Sequence, residues 1–130
     1  MDDNSKPVTN LLYLGLSSEL RTQIQKLLHK GSGFEYFDDL DDAYSHLTSK
    51  NCRTEIVVMS DLNDLAPLAV LLKIKKIQRL VPIIVLSENK KSSLAIEIIK
   101  AGAYDFFLLP VTTRELLDSI NQALIDLRLN

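Results

Sequence analysis

The side chains that could do chemistry in this chain are grouped, and each group makes its own physical demand. Asp38, Asp39, Asp41 and Asp42 crowd carboxylates together, which first suggests a hard-cation site. A calcium loop also needs a glycine at its turn and a distant glutamate, and nothing here resembles one. The run reads instead as the acidic start of a helix, facing the positive end of its dipole. His29 and His46 are far apart on different helices, and neither has a partner in a pattern that suggests a nucleophile and base. Both read as surface residues. Cys52 is the only cysteine, so no internal disulfide can form, and it is expected as a free thiol near a strand start. Lys73, Lys75, Lys76 and Arg79 put a basic side on one helix. A solvated face is the first reading and partner docking the second.

The elements that position these groups follow from apolar patterning. Leu11–Leu14, Ile56–Met59, Ile83–Leu86 and Phe106–Leu109 are short continuous apolar runs, as strands covered on both faces require. A further strand is expected at Phe34–Phe37. Between the runs lie helices. Ser17 or Ser18 caps the first, whose stripe is Leu20, Ile24, Leu27 and Leu28 and which ends at Gly31 and Gly33. The second carries Ala43, Tyr44 and Leu47. The third carries Leu68, Leu71, Leu72 and Ile77, with Pro67 in its first turn and Asp64 as a cap. The fourth runs over 91–101 to Gly102, and Thr112 with Glu115 forms a capping box that opens the last, reaching about Leu127. A strand–helix unit repeated in this way, with short connections, predicts parallel pairing through right-handed crossovers. The expected architecture is a single doubly wound (βα)5 α/β domain over 10–130, preceded by a flexible tail over 1–9.

The stretch Val81–Leu124, VPIIVLSENKKSSLAIEIIKAGAYDFFLLPVTTRELLDSINQAL, resembles the last third of the response-regulator receiver (CheY-like) family. It has an alanine-rich helix, an alanine–glycine–alanine corner, an aromatic strand, a proline and a capped last helix. The resemblance weakens toward the amino terminus but runs in order through about 10–127. It implies a flavodoxin-like five-stranded parallel sheet in the order 2-1-3-4-5, with a pocket at the carboxyl edge of strands 1, 3, 4 and 5.

A working receiver accepts a phosphoryl group on an aspartate. Its charge is neutralised by Mg²⁺ held on carboxylates, with a lysine and a hydroxyl on the phosphoryl oxygens. This chain departs from that pattern. Gly15 and Leu16 stand where an acidic pair is expected, and Glu19 reads as a helix-dipole residue. Glu55 fits the acid before the third strand, which puts Ser60 at the acceptor position. Asp61, one residue on, is expected to face away from the pocket unless a bulge intervenes. Ser87 keeps the hydroxyl, although it also fits a turn. Phe106 matches the aromatic that changes rotamer in receivers, although it also fits a packed core residue. Leu109 replaces the lysine before Pro110, and the bond between them is expected to be cis, as in the family.

The leading expectation is therefore a degenerate, non-enzymatic pseudo-receiver. It would hold no cofactor or metal and act through protein contacts in two-component-type signalling or transcription regulation. The resemblance places the working face on the fourth helix, fifth strand and fifth helix. There it would draw on Lys90, Lys91, Ile96, Lys100, Tyr104, Asp105, Arg114, Asp118 and Asn121. A second copy, a protein partner or an output domain in a longer chain would bind it. The chain ends soon after its fifth helix, which leaves open a piece of a longer regulator or a domain that works alone. The second expectation is a true acceptor using Asp61, phosphorylated by a histidine kinase. The third is a flavodoxin-like small-ligand binder, weakened because Leu14–Ser17 holds one glycine and no phosphate loop.

A net charge of −2 argues against nucleic acid, and no apolar run approaches a membrane span. The start, MDDNSKPVTN, has neither the basic nor the apolar segment of a signal peptide, so the expected location is cytoplasmic.

Overall fold

The computed structural model describes residues 6–60 and 66–129. The elements are β1 (Asn10–Leu14), α1 (Ser18–Gln25), β2 (Gly33–Phe37), α2 (Leu40–Thr48), β3 (Ile56–Met59), α3 (Pro67–Ile77), β4 (Ile83–Ser87), α4 (Ser92–Lys100), β5 (Asp105–Leu108) and α5 (Thr113–Leu129). All strand pairs are parallel, in the order β2-β1-β3-β4-β5. This is the doubly wound, flavodoxin-like arrangement.

Period-two alternation divides the apolar strands between two layers of helices. Leu12, Leu14, Val57, Met59, Ile83 and Val85 pack toward α2, α3 and α4, against Leu47, Leu71, Ile74 and Ile98. Leu11, Tyr13, Ile56, Val58, Ile84 and Leu86 pack toward α1 and α5, against Ile24, Leu117, Ile120 and Leu124. Continuous apolar runs are thus explained by burial on both faces.

Local signals set most helix ends. Ser17 accepts from Leu20 N at 3.1 Å, and Asp39 accepts from Asp42 N at 3.0 Å. Thr112 and Glu115 exchange the two bonds of a capping box. Gly102, at φ 109, lets the chain leave α4 in a conformation that a β-carbon disfavours.

Several expectations need correction. α1 stops at Gln25, not at the glycines. Leu27 and Leu28 follow in tight turns, bonded to the carbonyls of Ile24 and Gln25, and reach the core from outside the helix. His29 is therefore not helical; it is half-buried, and its Nδ1 accepts from Gly31 N at 3.1 Å. His46 is also half-buried, its ring 5.4 Å from that of Phe37. The N-cap position of α3 is Ala66, without a side-chain bond, and Asp64, expected as the cap, lies outside the described residues. Leu72 is exposed, and Val70 and Ile74 take the core positions. β5 begins one residue earlier than expected and leaves Leu109 beyond its end. The basic side of α3 is not uniformly solvated. Lys75 is half-buried, its Nζ 3.4 Å from Val81 O, and Lys73 lies over the Tyr44 ring.

From Pro7 on, the stretch expected as a tail is bonded to the domain. Pro7 O accepts from His29 N and from Ser32 Oγ. Val8 O accepts from Arg128 Nη2 at 2.8 Å. Arg128 also meets Glu55 at 3.1 Å, while Glu55 accepts from Thr9 Oγ1 at 3.0 Å. This cluster ties α5 to the starts of β1 and β3. Partial burial pushes the Glu55 carboxyl up, but bonds from Arg128, Thr9 and Asn10 outweigh it and hold the group below the usual range. A carboxylate with a depressed folded pKa contributes stability above its unfolded pKa, and loses it as pH falls through the folded value. Arg128→Ala is therefore expected to lower unfolding free energy by about 0.5–1 kcal/mol at neutral pH, since the pair is partly exposed. In urea titrations the difference from the parent should shrink once acid protonates Glu55. A difference of equal size at acid pH would assign the effect to packing or to the Val8 bond.

Candidate functional site

The carboxyl edge of the sheet is assembled by backbone bonds that continue one residue past the strands. Leu14 pairs with Met59, and Ser60 N then donates to Leu14 O at 2.9 Å. Gly15 N donates to Phe37 O, and Leu109 N to Ser87 O, each at 2.9 Å. Positions 15, 60, 87 and 109 are therefore brought to one edge by register alone.

A cleft of about 870 Å³ opens there, walled by Leu16, Leu20, Ser60, Leu109, Pro110 and Val111. Of the residues expected in the pocket, Leu16, Ser60 and Leu109 line it. Ser60 is 7% exposed and supplies a hydroxyl. Gly15 is buried behind Leu16 and contributes no side chain. Ser87 is buried at 1%, and its Oγ accepts from Asn89 N at 3.0 Å, so its turn role is realised. The Leu109–Pro110 bond is cis. Asp61 lies outside the described residues.

Three charged residues on the cleft were not expected there. Glu19 stands in the first turn of α1, and Glu88 and Lys90 follow β4. Lys90 had been assigned only to the interaction face. The signal was available for Glu88 and Lys90, because residues just after a parallel strand's carboxyl end border such a crevice.

A resident Mg²⁺ needs several oxygen ligands, normally including carboxylates. The strand ends offer a hydroxyl, two alkyl side chains and a glycine. Among the described residues no group of three or more His, Cys, Asp or Glu gathers to hold a metal. The described residues at these strand ends do not fit that ion. Asp39 caps α2, and Asp41 and Asp42 occupy its first turn, so the acidic run behaves as a helix start.

Beside the cleft, a second depression of about 500 Å³ lies between α4, β5 and the start of α5. Lys90, Lys91, Phe106, Leu108 and Glu115 line it. Phe106 is half-buried and packs on the α2–α3–α4 side. Ile96, Ile99 and Leu108 are exposed at 54%, 46% and 46%. Lys100 is exposed, and Arg114 and Asp118 are exposed with 3.8 Å between their charged groups. Asn121 is half-buried. Tyr104 and Asp105 turn their polar groups inward to α5. Tyr104 Oη donates to Asp126 at 2.7 Å, and Asp105 Oδ2 accepts from Ser119 Oγ at 2.8 Å. Desolvation, together with the Asp126 carboxylate, pushes the Tyr104 phenol up to about 12.

The fold and this edge define a class, the receiver domains. The chain belongs to the response regulator receiver domain family, whose model matches residues 17–121. Among solved structures it is similar to a receiver domain protein from Clostridium thermocellum, at 23% identity and TM-score 0.82, covering 94% of this chain and 98% of that one. It is also similar to NtrX from Brucella abortus, at 24% identity and TM-score 0.81. That match covers 94% of this chain, which spans 28% of the NtrX chain. An orphan response regulator of H. pylori matches at 24% identity and TM-score 0.77, covering 92% and 98%. No curated protein matches the sequence. Among the described residues no helix is long and apolar enough to cross a membrane.

With no carboxylate pair among the described residues at the strand ends, millimolar Mg²⁺ should add well under about 1 kcal/mol to stability, from RT ln(1 + [L]/Kd). A melting-temperature rise of several degrees at a few millimolar Mg²⁺ would reject this and direct attention to Asp61, Glu19 and Glu88.

Proposed function

We propose that this receiver domain works without phosphorylation, as a protein-contact module rather than an enzyme, through the face of α4, β5 and α5. The observation that carries the reading is the trio at the carboxyl edge: Gly15 with Leu16, Ser60, and Leu109. A phosphoryl group brings concentrated negative charge, and its transfer needs that charge met by cations or donors. Leu109 offers neither, and Gly15 and Leu16 give no ligand for a metal that would. The Ser60 hydroxyl is a weak nucleophile unless a base activates it, and among the described residues no histidine lines the cleft.

The face mixes apolar Ile96, Ile99 and Leu108 with Lys91, Lys100 and the Arg114–Asp118 pair. An apolar centre with a charged rim suits a modest, reversible interface. The occupant is a second copy, a protein partner or an output domain. That the same fold makes up a minor part of NtrX supports reading it as one module of a longer regulator.

Incubation with acetyl phosphate and Mg²⁺ should leave the intact mass unchanged. A phosphoryl adduct lost on Asp61→Asn would establish the Asp61 acceptor reading instead. Association, followed by sedimentation or pull-down, should not respond to phosphodonors. Reversing charge at Lys100 and Arg114 together should weaken it and leave the melting temperature nearly unchanged, since exposed charges contribute little to stability. If binding survives that change and is lost on altering Lys73 and Lys76, α3 is the working face.

A further inference from the structure

The missing carboxylates have a structural counterpart inside the fold. Tyr13 is fully buried in β1 and packs on the α1–α5 side. Position 15 lies two residues on, so strand alternation aims its side-chain direction toward the same layer. A β-carbon placed on Gly15 would lie 2.6 Å from Tyr13 Oη, 2.9 Å from Cζ and 3.1 Å from Ser60 Cβ. The first two are closer than a β-carbon approaches a non-bonded atom. Gly15 does not have a positive φ, so its backbone would admit any residue. Space, not backbone conformation, demands glycine there.

The Tyr13 ring cannot yield cheaply. It turns about only two side-chain torsions, and close packing surrounds it. The same distances show that side chains at positions 15 and 60 would be neighbours. Two carboxylates in that place would be hard oxygen ligands suited to a divalent cation. The ring excludes the first of them.

We propose that Tyr13 is the residue that bars an acidic side chain from position 15, and so bars a divalent cation from being held between positions 15 and 60. The space that a side chain at position 15 would take is occupied by the Tyr13 ring. The inference rests on the reading of the edge as an inactive phosphoacceptor pocket, and it adds the reason why reversion at position 15 alone cannot restore a cation site. Removing only the hydroxyl is insufficient, because Cζ itself lies 2.9 Å from the added carbon. Tyr13→Phe therefore leaves the block in place, whereas Tyr13→Leu removes it.

A double-mutant cycle in urea tests this. Gly15→Ala should lower the unfolding midpoint in the parent and in Tyr13→Phe. In Tyr13→Leu the same change should be neutral or stabilising, because the new methyl enters vacated space. Tyr13→Met, which adapts to irregular space, replaces Tyr13→Leu if the latter does not fold. A neutral Gly15→Ala in the parent overturns the proposal, as does a loss of equal size in every background. In a second arm, Gly15→Asp with Ser60→Asp should gain Mg²⁺-dependent stabilisation only when Tyr13→Leu or Tyr13→Met is also present. Equal Mg²⁺ response with the tyrosine retained would overturn the proposal. Phosphorylation of the unaltered protein would defeat the phosphorylation-independent reading and leave the outcome of the cycle untouched, so the two fail separately.

Discussion

The structure hangs on the central strand. β1 is hydrogen-bonded along both edges, to β2 and β3, and covered on both faces. A strand so enclosed has no freedom of register. A slip of one residue would exchange Leu11 and Tyr13 with Leu12 and Leu14, sending each pair into the wrong helical layer. Its pairing with β3 then decides what stands beside what at the carboxyl edge. Gly15 follows Leu14 and Ser60 follows Met59, so the two meet because the strands beneath them must. The site's composition is a matter of side chains; its geometry is inherited from the core.

The two edges of the sheet are used differently. At the amino edge, charges are engaged: Glu55 takes bonds from Thr9, Asn10 and Arg128 and joins three separate parts of the chain. At the carboxyl edge, the described strand-end positions 15, 16, 60, 87 and 109 carry a glycine, hydroxyls and alkyl groups. Burying a single carboxylate without a partner costs several kcal/mol, so loss of one member of such a site leaves the others unfavourable. A pocket that loses its lysine is thus better off without its acids as well. Glycine, leucine and serine at these positions, with the Tyr13 ring occupying the gap, form a self-consistent alternative.

The strands and strand order were legible because double burial writes itself as uninterrupted apolar runs, and because Pro110, Gly102 and the Thr112–Glu115 box punctuate the last third of the chain. The pocket positions were legible for a related reason: they are counted from strand ends. Three features escaped. The end of α1 was misplaced because Leu27 and Leu28 continue the helical spacing while the backbone has already tightened into turns. Helical periodicity reports which residues are buried, not which hydrogen bonds bury them. The Glu55–Arg128 contact joins residues far apart in sequence and carries no local pattern. Tyr13 passed as one more member of an apolar strand. Its reach toward position 15 depends on a rotamer and on a neighbour lacking a side chain, which a one-dimensional pattern does not record.

The cleft and the neighbouring depression share a wall. Lys90, Pro110 and Val111 border both, the first following β4 and the others following β5. A group bound in the cleft would therefore press on segments that also shape the α4–β5–α5 face. If, as proposed, the cleft takes neither a cation nor a phosphoryl group, that route of control would have no chemical input. Whatever conformations the face adopts are then weighted only by what binds the face. A partner shifts such an equilibrium by no more than the difference in its affinity for the two states, and one that binds both equally shifts nothing. On that proposal, regulation would move from the presence of a phosphodonor to the concentration and selectivity of a partner. A partner's preference for one arrangement of Lys90, Phe106 and Leu108 would then set the range of the response.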